Sequence, residues 1–101
     1  MLINTNISNR CAIISLQGRF DFSANPAFKK AYEPLLQMIE ISELEIDLGA
    51  VQYLDSSALG ILLLLKERAD KMGKTIALSN CQGTVKRILD IANFIKLFNI
   101  R

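Results

Sequence analysis

The chain has 101 residues, of which 50% are hydrophobic and 22% are charged. This length is typical of one domain, and the composition supplies enough apolar surface for a core, which excludes an intrinsically disordered chain. The formal net charge is only +2 and the basic residues form no long stripe, so nucleic-acid binding is not expected. The sequence therefore predicts a single domain over residues 1–101.

No segment has the composition of a signal peptide or a membrane span. The start, MLINTNISNR, lacks a basic region and a long apolar stretch, and no apolar run reaches the ~20 residues that cross a bilayer. We therefore expect a cytoplasmic protein with no membrane partner. In that compartment Cys11 and Cys81 are interpreted as reduced, partly buried small hydrophobes.

The chain contains no histidine and no Cys-x-x-Cys motif. Histidine is the commonest general base, so a Ser-His-Asp hydrolase is excluded. A transition-metal site is not expected either, and no cofactor is predicted.

The first predicted elements are two strands and a helix. Leu2 to Ile7 is a weak strand candidate, and Ala12 to Leu16 alternates apolar with polar residues as a half-buried strand does. Asn25 is predicted to cap a helix that Pro26 begins and that runs to about Met38 or Ile39. Pro34 lies inside this helix, so we expect a kink or break there.

The middle of the chain predicts a strand followed by a long helix. Leu44 to Leu48 alternates apolar residues with acids. A helix is predicted from about Ser57 to Met72, and Gly73 is placed to end it in a left-handed conformation.

The last third repeats the alternation of strand and helix. Ile76 to Leu78 is a short strand, Thr84 to Ala92 a helix with one apolar stripe, and Leu97 to Ile100 a weak final strand. Lys86 and Arg87 are interpreted as the solvated face of that helix. Alternating strands and helices predict parallel pairing, with a hairpin made by the first two strands.

The acids of the strand Leu44 to Leu48 limit how the sheet is covered. A parallel strand with helices on both faces usually consists of a continuous apolar run. This strand instead carries Glu43, Glu45 and Asp47 on its second face. The helices are therefore predicted to pack on one side of the sheet only.

Asp55, Ser56 and Ser57 lie where the loop after this strand enters the long helix. In one interpretation, Asp55 or Ser56 caps the helix, which stabilises it by about 1 kcal/mol. In the other, a hydroxyl accepts phosphate, because a helix N-terminus is an anion site and the pair supplies one hydroxyl more than a cap requires. The apolar run from Ile61 to Leu65 fits either a buried central helix or an apolar surface beside this junction.

The stretch from Leu48 to Leu62, LGAVQYLDSSALGIL, resembles the STAS domains (sulphate transporter and anti-sigma-factor antagonist) in their small bacterial form. Leu16 to Asp21 is similar to the family segment in which an aspartate follows the second strand, and Val85 to Leu89 is similar to its third helix. The resemblance implies an α/β fold with a single mixed sheet of four or five strands and helices packed on one face.

The resemblance also implies a function and a site. The small bacterial members of this family are anti-sigma-factor antagonists, which are binding proteins and not enzymes. In these antagonists an anti-sigma factor with serine kinase activity phosphorylates the second serine of the pair, and a PP2C-type phosphatase reverses the modification; the resemblance implies that Ser57 is that serine here. The unphosphorylated form binds the anti-sigma factor and releases the sigma factor. The switch surface is predicted to comprise the following residues: Asp21, Asp55, Ser56, Ala58 and Leu59.

Two departures and two alternatives accompany this resemblance. Ala58 stands where glycine is common, and Arg19 stands where some antagonists carry an acid. The same switch could serve another client, in stressosome-like, flagellar or surface-growth signalling. A small enzyme or nucleotide binder is the other alternative, disfavoured because the chain has no Gly-rich phosphate loop and no evident general base.

Overall fold

Five strands form a single sheet in the computed structural model, which describes residues Met1–Arg101. In spatial order they are β1 (Leu2–Ser8), β2 (Cys11–Phe20), β3 (Glu43–Leu54), β4 (Thr75–Ser79) and β5 (Asn99–Ile100). The pair β1–β2 is antiparallel, and each later pair is parallel. The helices are α1 (Asn25–Leu36), α2 (Ser56–Lys71) and α3 (Gly83–Ile91), with 3-10 turns at Phe22–Ala24 and Phe94–Lys96. The predicted α/β architecture with an N-terminal hairpin is confirmed.

The helices cover one face of the sheet, as the alternation in β3 predicts. Leu44, Ile46 and Leu48 are completely buried, and the acids between them remain partly exposed. Residues from all three helices belong to the same cluster of buried side chains as these three. No helix is both long and apolar enough to cross a membrane.

On the opposite face, Arg101 binds two of the three acids of β3. Its guanidinium lies 2.8 Å from Glu43 and 2.9 Å from Glu45. The Cys11 sulfur lies 3.6 Å from Glu43, and its burial, with the nearby Glu43 carboxylate, raises the pKa of the thiol. Ligand atoms of Cys11, Glu43 and Glu45 lie within 4.8 Å of one another, but a cation placed there would have to displace Arg101.

Strands β2 and β3 are longer than the sequence predicts, and they extend beyond the rest of the sheet. Strand β4 ends where Ser79 pairs with Asp47, and β1 begins where Leu2 pairs with Gln17. Beyond these positions, Gly18–Phe20 and Val51–Leu54 form a two-stranded arm. The predicted strand ended at Leu48 because irregularities in the register interrupt the alternation after that residue.

Helix α1 differs from the prediction at both ends. Asn25 is its first residue and not its cap, Ala24 occupies the cap position, and the Asn25 Oδ1 is buried without a partner. Pro34 does not break the helix, which ends two residues later at Leu36. After Leu36 the N–H groups of Gln37 and Met38 bond three residues back, to the carbonyls of Pro34 and Leu35, so the last turn is no longer α-helical and the predicted end at Met38 or Ile39 is wrong.

Helix α2 begins at Ser56, one residue before its predicted start, and Gly73 follows its end with a φ of +72°. Its central apolar run serves two surfaces. Ile61, Leu62 and Leu65 are buried, but Leu63 and Leu64 are 40% and 46% exposed. The buried-helix account and the exposed-surface account of this run are therefore each partly right.

Candidate functional site

The two-stranded arm places Asp21 and Asp55 at the end of the sheet where β2 and β3 finish. Phe20 and Leu54 are register partners at the ends of β2 and β3, and both are fully buried. Each is followed directly by an aspartate. The backbone N–H of Asp55 donates to the Phe20 carbonyl at 3.3 Å, so the ends of β2 and β3 are held together.

Asp55 caps helix α2. Its backbone is extended, with φ −105° and ψ −176°, and its carboxylate accepts a hydrogen bond from the Ala58 N–H at 3.0 Å. The first helical hydrogen bond runs from the Leu59 N–H to the Asp55 carbonyl. The N–H groups of Ser56 and Ser57 precede that bond, so they are available to an anion at the helix start.

Both serines lie in the first turn of α2 and reach solvent. Ser56 is exposed and Ser57 is partly exposed. Because Asp55 supplies the cap, neither hydroxyl is needed for it. Ala58, predicted as part of the switch surface, has no exposed area, and its backbone N–H donates to the Asp55 carboxylate, so it takes part only as a partner of the cap. Leu59 is partly buried against the core.

Asp21 organises the loop that faces this helix start. Its carboxylate accepts a hydrogen bond from the Ser23 N–H at 3.0 Å and another from the Ser23 hydroxyl. The Ser23 hydroxyl makes the largest contribution to lowering the pKa of Asp21, with smaller ones from the Ser23 N–H and from Arg19, whose Nε lies 4.0 Å away. Asp21 is therefore a fixed negative charge of the site.

We expect Ser23→Ala to raise the pKa of Asp21 towards the ordinary aspartate value, because the main hydrogen bond to the ionised form is lost. In the native chain the stabilisation from ionised Asp21 is present above the ordinary pKa and is lost as the pH falls through the lowered one. Carboxyl carbon NMR titration through the acidic range measures this shift. Ser56→Ala, which removes a hydroxyl that Asp21 does not bond, serves as the control. An unchanged Asp21 titration in Ser23→Ala would contradict the assignment.

Apolar and aromatic side chains surround the acids, and sequence reasoning missed most of them. Phe22, next to Asp21, is 71% exposed, and Tyr53 is 38% exposed. The Arg19 guanidinium lies 4.8 Å from the centre of the Tyr53 ring, in the range of a cation–π contact. The available signal was the aromatic residue type itself, at Phe22 and Tyr53 beside the predicted aspartates, because aromatic residues are enriched at protein interfaces. Phe22, Tyr53 and Arg19 thus border the predicted switch residues.

The chain matches known proteins over nearly its whole length. The STAS domain family matches residues 3–101. A STAS-domain-containing protein of Pseudomonas aeruginosa (strain UCBPP-PA14) is 47% identical over 87 residues, covering 86% of this chain and 84% of the relative. An anti-sigma F factor antagonist of Paenibacillus polymyxa is 24% identical over 88 residues, covering 87% of this chain and 75% of the relative.

Solved structures share the fold at low sequence identity. The Bacillus cell fate determinant SpoIIAA, an anti-sigma factor antagonist, is known in an unphosphorylated and a phosphorylated form. Each form gives a TM-score of 0.75 at 13% identity and covers 99% of this chain, which spans 87% and 91% of the respective structures. The chain therefore belongs to the STAS domain family, as the resemblance at Leu48 to Leu62 indicates.

Proposed function

We propose that the chain is an anti-sigma-factor antagonist whose binding is switched by phosphorylation of Ser57. The unphosphorylated form binds an anti-sigma factor with serine kinase activity and thereby releases a sigma factor. That kinase modifies Ser57, and a PP2C-type phosphatase restores it. The chain itself carries out no catalytic step. The names of the Paenibacillus relative and of SpoIIAA, and the two SpoIIAA forms, support this function.

The position of Ser57 is the observation that carries the proposal. The residue is partly exposed in the first turn of α2, beside a cap that Asp55 already provides. A phosphate on Ser57 adds about −1.5 to −2 charges at neutral pH. The helix dipole and the unbonded N–H groups of the first turn stabilise such a charge, so the fold tolerates it.

The same charge opposes docking of a partner. The border of the site is apolar, with Phe22 and Tyr53 exposed and Leu59 partly exposed. A partner that packs on these side chains would have to strip water from the phosphate, which lies near the carboxylates of Asp21 and Asp55. Burying an unpaired charge costs several kcal/mol, and only about 4 kcal/mol converts a micromolar contact into a millimolar one.

Exposure does not separate Ser57 from Ser56, since Ser56 is the more exposed of the two. The choice of Ser57 comes from its position as the second serine of the family's pair. After treatment with a cognate anti-sigma kinase, phosphopeptide mass spectrometry is expected to locate the modification on Ser57, and Ser57→Ala is expected to abolish it. Ser56→Ala, the matched control, should still be labelled. Exclusive labelling of Ser56 would show that the site is misassigned.

A further inference from the structure

Strand β1 is an edge strand of the sheet, and no charged residue or proline protects its free edge. It pairs with β2 on one side only. Exposed edges are normally protected by charged residues or proline. The sequence of β1, LINTNIS, contains neither, and six of its seven residues are exposed. This edge is therefore open to another strand.

The hairpin fixes which residues present backbone groups at the free edge. Ser8 and Cys11 pair across a two-residue turn, so they must exchange hydrogen bonds with each other. Bonded and non-bonded pairs alternate along an antiparallel ladder. The N–H and C=O groups of Ile3, Thr5 and Ile7 consequently point away from β2.

These outward residues lie in a palindrome. Residues 3–7 are Ile-Asn-Thr-Asn-Ile, which is the same sequence in both directions. When two such strands pair antiparallel about a two-fold axis at Thr5, each Ile3 lies opposite an Ile7 and Thr5 lies opposite its own copy. Every residue whose backbone N–H and C=O point away from β2 then lies opposite such a residue on the other strand. The strand is complementary to itself.

The side chains match as well as the backbone. The β2 residues opposite Ile3, Thr5 and Ile7 are buried against the helices. The side chains of these three β1 residues therefore lie on the helix side of the sheet. Two threonines directly opposite each other are a favourable cross-strand pair, and the two Ile3–Ile7 pairs bring apolar side chains together. Ile7 is 45% exposed and would meet the partner's Ile3.

The surface beside the strand also suits an apolar neighbour. A shallow depression of about 370 Å³ lies between β1 and α1, and most of its lining is apolar. Ile3, Ala27 and Ala31 contribute to it, and Lys30 is its one charged side chain. A paired strand would place the partner's Ile7 next to Ile3 at this depression. The partner that fits this edge is therefore the β1 strand of a second copy of the chain.

We propose that two copies of this chain associate through their β1 strands, antiparallel about Thr5, and join their sheets into one continuous sheet across a two-fold axis. Six backbone hydrogen bonds, from Ile3, Thr5 and Ile7 of each copy, close the joint. Ser57 lies on α2, at the end of the arm made by β2 and β3, and is not a residue of the β1 edge. The proposal does not depend on the function assigned to Ser57.

The first test measures mass in solution. Analytical ultracentrifugation of the wild-type protein is expected to give a concentration-dependent species of twice the 11.3 kDa chain mass. Thr5→Lys places two like charges opposite each other at the axis, so it is expected to weaken the dimer at least tenfold. Gln17→Lys adds the same charge at an exposed position of β2 away from the free edge and is expected to keep the dimer. A monomeric wild type, or a Thr5→Lys dimer of unchanged affinity, would overturn the proposal.

The second test reads the register directly. Residues facing each other in a bonded antiparallel pair have Cα atoms about 5.5 Å apart, which suits a disulfide. A mixture of the Ile3→Cys and Ile7→Cys proteins is expected to form a cross-linked heterodimer under mild oxidation. Each variant alone, and the wild type with its native Cys11 and Cys81, are the controls and should cross-link far more slowly. Equal cross-linking in all four samples would contradict the register even if the mass were that of a dimer.

Discussion

Ser57→Asp is expected to weaken binding to the cognate anti-sigma factor by about 100- to 1000-fold, which corresponds to about 3–4 kcal/mol. The aspartate imitates part of the phosphate charge at the centre of the proposed docking surface. A bound partner would remove water from it without supplying an opposite charge. Ser57→Ala keeps the site neutral and is expected to bind as the wild type does. Isothermal titration calorimetry of the three proteins against the purified partner measures the difference.

The chain offers a matched control for this experiment. Thr84 is the second residue of α3, as Ser57 is the second residue of α2, and it is exposed. Thr84→Asp therefore adds the same charge at the equivalent position of a different helix, and it is expected to leave the affinity within about twofold of wild type. Equal affinity of Ser57→Ala and Ser57→Asp would refute the switch.

The switch is expected to act on binding and not on folding. A negative charge in the first turn of a helix is stabilising by about 0.3–1 kcal/mol at an exposed position. The melting temperature of Ser57→Asp should therefore equal or slightly exceed that of wild type. A marked loss of stability in this variant would mean that reduced binding reports unfolding.

Much of this architecture follows from local patterns in the sequence. The alternation in Ala12 to Leu16 and in Leu44 to Leu48 predicts the two central strands and the single covered face, because burial of every second residue is what a half-covered sheet requires. The cap at Asp55 is predictable for a similar reason. A short acidic side chain before an apolar run satisfies the free N–H groups of a helix start.

Contacts between residues far apart in sequence could not be predicted in this way. The bond from Asp55 to Phe20 depends on the register of two strands, and that register contains irregularities that no local pattern announces. Lys74 is similar. Its ammonium group is buried and donates to the Met38 and Ile41 carbonyls at 2.7 and 2.5 Å, whereas sequence patterns place lysine on the surface.

Which residues of α2 face solvent could not be predicted from the sequence either. Leu59 to Leu65 contains more apolar residues than one buried stripe needs, but the pattern alone does not say which of them reach solvent. Only the packing of α2 shows that Leu63 and Leu64 do. Likewise, Ala58 lies in the predicted motif but is turned into the core, because the helix phase set by Asp55 directs it there.

Phe28→Ala is expected to destabilise the fold by about 3–5 kcal/mol, a large fraction of the roughly 5–15 kcal/mol that holds a small domain together. Phe28 lies on α1 with no exposed area. Its ring makes edge contacts with Phe20 at 5.3 Å and with Tyr32 at 5.2 Å, measured between ring centres. Truncation removes both contacts and leaves a cavity that the surrounding strand and helix cannot fill without moving.

The loss of packing at Phe28 should also disturb the site. The Phe20 carbonyl accepts the hydrogen bond from Asp55, and Asp21 directly follows Phe20. Urea denaturation followed by far-ultraviolet circular dichroism measures the free energy of unfolding, with Phe28→Leu expected to lose less than Phe28→Ala. Ile39→Ala is the surface control, since Ile39 is 90% exposed and its truncation should change stability by at most about 0.5 kcal/mol. A Phe28→Ala protein as stable as the Ile39→Ala protein would show that this aromatic cluster does not support the end of β2, and that Asp21 and Asp55 are positioned by the β2–β3 pairing alone.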